Sequence, residues 1–520
     1  MLYALHLRCR LALCSAIVAL AMGNAATAQR LLRSWAGEMT DAKFGSDCAD
    51  LGDVDGDGIH DLAIGAPEQD IAAGAEAGRL YVYSGASGAL LWSKDGPDKS
   101  NWFSYAISEV GDLNADNVMD VVVGTANRNY VQVLSGADGS LIHFIHGDAN
   151  TGNLGNQVAG LGDLNHDGIA DLVVAAPGAN YNGTSSGSIF LYSGADAQLL
   201  QRLDGSSPDV LLGFRVSSAS DLNQDGFCDL LAMDLGRRGP DYGTVWVYSG
   251  QDRSVLFGLS GEKSGDLFGF GMARVGDLDF DGVTELVIGA IEWNASCPTE
   301  EGYAKVSSGK DGSLRKRFEG LADRDEFGVG ISGVGDVNRD GAPDFLVGAF
   351  QPECDPLPAG SGYSFLYSGR TLQALYQFVG REDNIDFGFS STGLGDVNAD
   401  GFSDYVITAL CFDACRGEVY LYSGNDLFLN ATPKSLAPNE TVTLTIAEAP
   451  LSSPVALFLV ALDGAPNVGV LAVGVMDANE RLALSLTVPA GLSGHTASLR
   501  AYALVNRSML DTADETLTFR

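Results

Sequence analysis

The chain has 520 residues, 66 of them glycine, with 46% apolar and only 19% charged residues, a composition that excludes a disordered chain and can bury a substantial core. Its 67 Asp and Glu outnumber 31 Lys and Arg, and the resulting formal net charge of −36 repels a phosphate backbone, which argues against nucleic acid as a partner.

Residues 1–28 carry Arg8 and Arg10, an apolar run from Leu11 to Met22, and then Ala26-Thr27-Ala28. This order of charge, apolar stretch and small residues predicts an export signal cleaved after Ala28. The run is short for a bilayer, and no other segment approaches about 20 continuous apolar residues, so no membrane span is expected. The expected location is secreted, cell-surface or periplasmic. Six cysteines then remain, Cys48, Cys228, Cys297, Cys354, Cys411 and Cys415, in a compartment where disulfides persist. Up to three bridges can form. Cys411 and Cys415 are close enough to close a small loop, or all six serve as small apolar residues, and geometry decides between these.

From Asp53 onward one nine-residue pattern recurs seven times: DVDGDGIHD at Asp53, DLNADNVMD at Asp112, DLNHDGIAD at Asp163, DLNQDGFCD at Asp221, DLDFDGVTE at Asp277, DVNRDGAPD at Asp336 and DVNADGFSD at Asp396. Successive starts lie 59, 51, 58, 56, 59 and 60 residues apart, a period that fits one four-stranded propeller blade. Before the pattern stands Phe-Gly, as at Phe44-Gly45, Phe268-Gly269, Phe327-Gly328 and Phe387-Gly388; after it comes a short apolar run such as DLAIGAP, DLVVAAP or DFLVGAF. These runs read as strands. A third strand ends each time in Ser-Gly, from LYVYSG at Leu80 to VYLYSG at Val419, and a fourth follows, as in SLIHFIHG from Ser140. The seventh repeat has no fourth strand of its own after Gly424, whereas LLRSWAG at 31–37 resembles the fourth strands and precedes the first repeat. It is expected to close the last blade and remove an open sheet edge. The expected fold is therefore all-β: a seven-bladed propeller over 29–425. From about Leu427 alternating segments such as TVTLTIAEA, ALFLVAL, RLALSLTV and SLRAYAL predict a small β-sandwich over 426–520.

In each acidic loop, side chains at positions one, three, five and nine and the carbonyl of position seven can converge. The predicted ligand sets are Asp53, Asp55, Asp57, Ile59 and Asp61; Asp112, Asn114, Asp116, Val118 and Asp120; Asp163, Asn165, Asp167, Ile169 and Asp171; Asp221, Asn223, Asp225, Phe227 and Asp229; Asp277, Asp279, Asp281, Val283 and Glu285; Asp336, Asn338, Asp340, Ala342 and Asp344; Asp396, Asn398, Asp400, Phe402 and Asp404. Hard oxygen donors in this number suit calcium, with up to seven ions. Asp, Asn and Gly also favour plain turns, but three or four carboxylates per loop repel one another by roughly 1 kcal/mol per pair at about 4 Å in water, and more near a protein surface. Asn117 stands for the usual Gly in the second loop, at a position where Asn tolerates the left-handed conformation. Glu285 is longer than the usual Asp. No flanking helix is expected, unlike an EF-hand, and the ions are expected to be scaffold rather than catalyst.

Together Phe-Gly, Gly65-Ala66-Pro67 and the acidic loop make residues 31–424, about three quarters of the chain, resemble the FG-GAP repeat family, the propeller type of integrin α chains. The resemblance implies calcium on the lower face and ligand contacts on the opposite face. Departures are Phe103-Ser104 and Leu154-Gly155 for Phe-Gly, and Ala232-Met233-Asp234 and Thr408-Ala409-Leu410 for Gly-Ala-Pro.

No reaction is legible. Gly183-Thr184-Ser185-Ser186-Gly187 matches a nucleophile elbow but lies in a Ser/Gly-rich loop, and the dinucleotide-like Gly328–Gly333 leads into an acidic loop rather than a helix. His60, His143, His146, His166 and His495 show no zinc spacing. The connections between second and third strands, at 67–78, 177–187, 234–243, 291–302, 350–362 and 410–417, are the expected recognition loops, with Glu68, Asp70, Arg237, Arg238, Asp241, Trp293, Glu353, Asp355 and Arg416, and Trp102 in another connection. The function expected is an extracellular recognition, adhesion or surface-assembly module, a monomeric propeller that binds an extracellular protein or glycan. The alternative is a polysaccharide lyase or hydrolase on the same scaffold, and fold alone does not choose.

Overall fold

In the computed structural model, residues 30–424 are described except 237–242, 264, 292–300, 323–324, 351–360, 381–383 and 413–414, together with the backbone of strands between Phe428 and Phe519. The apolar run after each acidic loop is the second strand of a four-stranded antiparallel sheet, and seven such sheets follow one another. Blade one comprises Cys48–Asp50, Leu62–Ala66, Arg79–Tyr83 and Leu90–Asp95 in that order across the sheet. The first strands of the later blades are Phe103–Glu109, Gln157–Gly162, Val216–Ser220, Met272–Arg274, Ile331–Gly335 and Asn384–Gly395. Each of these neighbours the first strand of the next blade, and that of blade seven neighbours that of blade one, so the ring closes.

The seventh sheet is completed from the other end of the ring. Leu31–Ala36 pairs antiparallel with Glu418–Tyr422, Trp35 opposite Val419 and Ala36 opposite Glu418. The buried Trp35 donates its indole N–H to the Gly88 carbonyl in blade one at 3.1 Å, so the strand also grips the first blade.

The core lies between blades rather than within one. Second strands are buried on both faces, which explains their unbroken apolar runs: Asp171–Ala176 is buried throughout. Strand alternation divides its side chains, Leu172, Val174 and Ala176 packing with blade two and Val173 and Ala175 with blade four. Fourth strands form the outer rim and alternate with solvent, as Leu90–Asp95 does. Connections between first and second strands and the Ser-Gly turns share one face, the lower; the other connections share the upper. Upper connections repeat a device that sequence reasoning missed. Asn101 and Asp325, each two residues before a Phe, accept that Phe's N–H and bond the hydroxyl of Tyr130 and Tyr363, respectively, while Asp266 holds Tyr303 in the same way.

Beyond the ring, the segments from Thr441, Ala456, Arg481 and Ser498 all fall in strands. Phe428–Thr432, Thr441–Ala447 and Arg481–Thr487 form one three-stranded sheet, and Pro454–Leu462, Ala465–Val475 and Thr496–Val505 belong to a six-stranded one. Cys411 and Cys415 are disulfide-bonded, whereas Cys48 and Cys228, in different blades, are free thiols. Among the described residues Cys411–Cys415 is the one bridge. Cys297, Cys354 and the segment 1–28 lie outside the described residues. Among the described residues no helix is long and apolar enough to cross a membrane.

Candidate functional site

All seven acidic loops fold by the same hydrogen bonds. The position-one carboxylate accepts the N–H of position five at 2.9–3.1 Å. Its other oxygen accepts position six at 2.7–2.9 Å. Position five in turn accepts the N–H of position seven at 2.8–3.0 Å. These bonds bend the chain so that position six is left-handed, at φ 86–92° for Gly58, Gly168, Gly226, Gly282, Gly341 and Gly401. Asn117 adopts the same region at 66°, as its side chain allows.

Position nine does something different. It is buried in every loop, and one of its oxygens accepts the N–H of position two at 2.6–3.0 Å. In six blades the other oxygen accepts the N–H of the glycine that ends the third strand, Gly85, Gly136, Gly194, Gly250, Gly369 or Gly424, at 2.7–3.1 Å. The serine before that glycine bonds position five in four blades: Ser135 to Asp116, Ser249 to Asp225, Ser368 to Asp340 and Ser423 to Asp400. Thus the Ser-Gly of each third strand, legible only as a strand end, is the second wall of the loop. Glycine is required there because a Cβ at Gly194 would lie 1.9 Å from the Ala170 carbonyl oxygen, with the same clash in every blade.

A turn alone needs only an acceptor, and Asn supplies one at position three of five loops. Positions one and five are nonetheless Asp in all seven, and position nine is always a carboxylate. In loop one, Asp53, Asp55 and Asp61 bring one oxygen each within 4.8 Å of one another, and in loop five Asp277, Asp279 and Glu285 do so. Burial, then the neighbouring loop carboxylates against the backbone bonds, pushes Asp344 up to about 8 and Asp404 to about 7. A divalent ion among these oxygens offsets that repulsion, so the donor set fits the group. Position-seven side chains turn inward, Val283, Ala342 and Phe402 being buried.

On the upper face the ring opens into a cavity of about 240 Å³, lined by Lys43, Asp47, Glu68, Trp102, Tyr105, Arg215, Phe270 and Phe389. Residues immediately before the Phe-Gly sites are left-handed, Lys43 at φ 56° and Trp102 at 53°, which turns their side chains onto this face. Trp102 stacks on Tyr105 with centroids 6.2 Å apart. The Arg215 guanidinium lies 4.3 Å from the Phe270 ring centroid and donates to the Phe270 carbonyl at 3.2 Å. Asp47 accepts from the N–H groups of Ile107 and Cys48, and burial pushes its carboxyl up to about 6. Of the predicted recognition residues, Glu68 and Trp102 line this cavity, whereas Asp70 accepts the N–H of Glu76 within its own loop at 2.8 Å. Arg237, Arg238, Asp241, Trp293, Glu353 and Asp355 lie outside the described residues.

His60 pairs with Asp50 at 2.8 Å, His143 contacts the Gly194 carbonyl at 2.8 Å, and His166 packs on Phe227 of the next acidic loop. Gly328–Gly333 enters the strand Ile331–Gly335, not a helix.

Residues 49–83 and 154–192 match the FG-GAP repeat. The chain is 28% identical to integrin alpha-5 of Xenopus laevis over 247 residues, 43% of this chain and 22% of that protein. It is 26% identical to integrin alpha-V of Gallus gallus over 213 residues, 36% and 19% of the two chains, and 32% identical to integrin alpha-11 of Homo sapiens over 158 residues, 27% and 13%. The match spans about a fifth of the length of the first two relatives. The chain carries FG-GAP repeats of the integrin α type, arranged as a seven-bladed β-propeller.

Proposed function

We propose that this chain is an exported, calcium-binding propeller that acts as an extracellular recognition or adhesion module, with calcium pinning the lower face and the upper face meeting a protein or glycan. The observation that carries the calcium reading is that every loop gathers three or four carboxylates and keeps Asp at position five in all seven, where the turn uses a single acceptor oxygen that an uncharged amide would supply. Loops of this kind hold hard cations through carboxylate and carbonyl oxygens. Each ion would tie a strand connection to the neighbouring Ser-Gly turn and stabilise the ring by roughly 2.7 kcal/mol per independent site at free calcium a hundredfold above its Kd.

Recognition belongs on the upper face. There the cavity combines the stacked pair Trp102 and Tyr105 with Lys43 and Arg215, a mixture of aromatic surface and cationic donors suited to a polar partner. Export by residues 1–28 and a sandwich fold for 426–520 complete this reading. The test is a screen of residues 29–520 against glycans and surface proteins in excess calcium, following both retention and cleavage. Retention that is lost with chelator and with Trp102→Ala supports a binding module. Product formation would replace it with an enzyme on the same scaffold.

A further inference from the structure

Loop five carries four carboxylates, as loop one does, yet it sits in different surroundings. Arg315, on the fourth strand Leu314–Glu319 of the same blade, reaches over it. One guanidinium nitrogen lies 2.6 Å from Asp279 Oδ2 and another 2.5 Å from Glu285 Oε1. Lys310 Nζ stands 3.8 Å from Asp281 Oδ2. We propose that loop five is closed by a cation of its own, the Arg315 guanidinium holding the place that calcium takes in the other loops. This rests on the calcium reading of those loops.

Two coincidences within the repeat support it. Arg315 is the second residue of its fourth strand, and the equivalent residues are Leu32, Leu91, Ile142, Leu200, Leu256 and Leu375. The one blade with a cation there is also the one whose loop ends in Glu rather than Asp. The extra methylene matters. In the six Asp blades the second oxygen of position nine is held by the Ser-Gly glycine, whereas in blade five Glu285 Oε1 goes to Arg315. A planar guanidinium bridges two carboxylates with directed N–H donors, a geometry that a spherical ion does not share. Glu285 is 1% exposed and the Arg315 side chain 27%, so the pair is shielded from solvent and an incoming ion would have to displace it. Loop one is the internal contrast: among the described residues no Lys or Arg forms an ion pair with Asp53, Asp55, Asp57 or Asp61, and its fourth strand carries Leu91.

The experiment counts calcium bound to the folded chain by native mass spectrometry and equilibrium dialysis after chelation and reloading. Asp57→Ala should lose one ion and Asp281→Ala none. Arg315→Leu, which places there the residue of five of the other six blades, should gain one, and adding Asp281→Ala to it should remove that ion. Loss of an ion from Asp281→Ala alone would overturn the proposal, as would a folded Arg315→Leu variant with no gain. If Asp57→Ala is equally silent, the calcium reading itself falls, and this proposal with it.

Discussion

Replacing Asp171 by alanine separates two duties of the last residue in an acidic loop, clamping the backbone and ligating an ion. Its carboxylate is fully buried and accepts two backbone N–H groups, from Leu164 at 2.8 Å and Gly194 at 3.1 Å. Removing it strands both donors in the interior at about 1–3 kcal/mol each, so a loss of about 2–6 kcal/mol is expected even with calcium chelated. If Asp171 is also a calcium ligand, saturating calcium should add up to roughly 2.7 kcal/mol to that loss. Asp163→Asn behaves differently. The amide keeps one acceptor for the turn, so in chelator the cost should stay below about 1 kcal/mol, with the ligand defect appearing only when calcium is present. Urea denaturation of both variants with and without chelator supplies the comparison, and amide exchange along Asp171–Ala176 localises it to blade three. Equal losses for the two variants in chelator would refute the clamp. Losses insensitive to calcium would refute the ligand role.

Three further outcomes are expected. Gly194→Ala places a Cβ 1.9 Å from the Ala170 carbonyl and should lower stability by about 1–3 kcal/mol, whereas Gly226→Ala meets nothing within 4 Å and carries only the strain of φ 92°, about 1 kcal/mol; melting midpoints in parallel should keep that order. Trp35→Ala removes a buried ring and its bond to Gly88 and should cost about 3–5 kcal/mol, and deletion of residues 31–37 should do more; an unchanged melting midpoint in the deletion would contradict closure by that strand. Glu326 is 1% exposed with both carboxylate oxygens unpartnered, and burial, then the charges of Asp386 and Asp325, pushes its carboxyl up to about 8 from an ordinary 4.5. The folded state therefore binds this proton more tightly than the unfolded, and stability should fall as pH rises from 4.5 to about 8. Glu326→Gln should remove that slope, matching the parent near pH 4.5 and exceeding it above pH 8 by on the order of 2–4 kcal/mol; parallel melting curves for the two proteins across the range would exclude the effect.

The repeat made the blades readable because each blade must solve the same packing problem. A second strand buried on both faces needs an unbroken apolar run, and a loop that doubles back over nine residues needs Asp, Asn and Gly at fixed places. Those constraints act between residues close in sequence. The partners that carry no local signal are remote: the Ser-Gly glycine stands 23 residues after the Asp171 it serves, Tyr363 lies 38 residues from Asp325, and Arg315 30 residues from Glu285. Such separations depend on the length of intervening loops, which varies from blade to blade. The upper-face cavity was less legible still, since its walls come from all around the ring and share no motif. Arg215 in particular gives no local sign of its place over the Phe270 ring.

The pairing of Leu31–Ala36 with Glu418–Tyr422 also governs how the molecule comes into being. In an open stack of repeats, each new unit can settle on the one before it, and a partly made array is already stable. In this ring the first strand to emerge waits for a partner almost 400 residues later, so the earliest contact in sequence is among the last to form. Loop closure of that span falls due at once, when the seventh blade is made, and a chain lacking its final blade leaves both the waiting strand and an unpaired blade edge exposed. Folding should thus be slow and all-or-none late in assembly, and truncated chains should aggregate rather than persist as smaller rings.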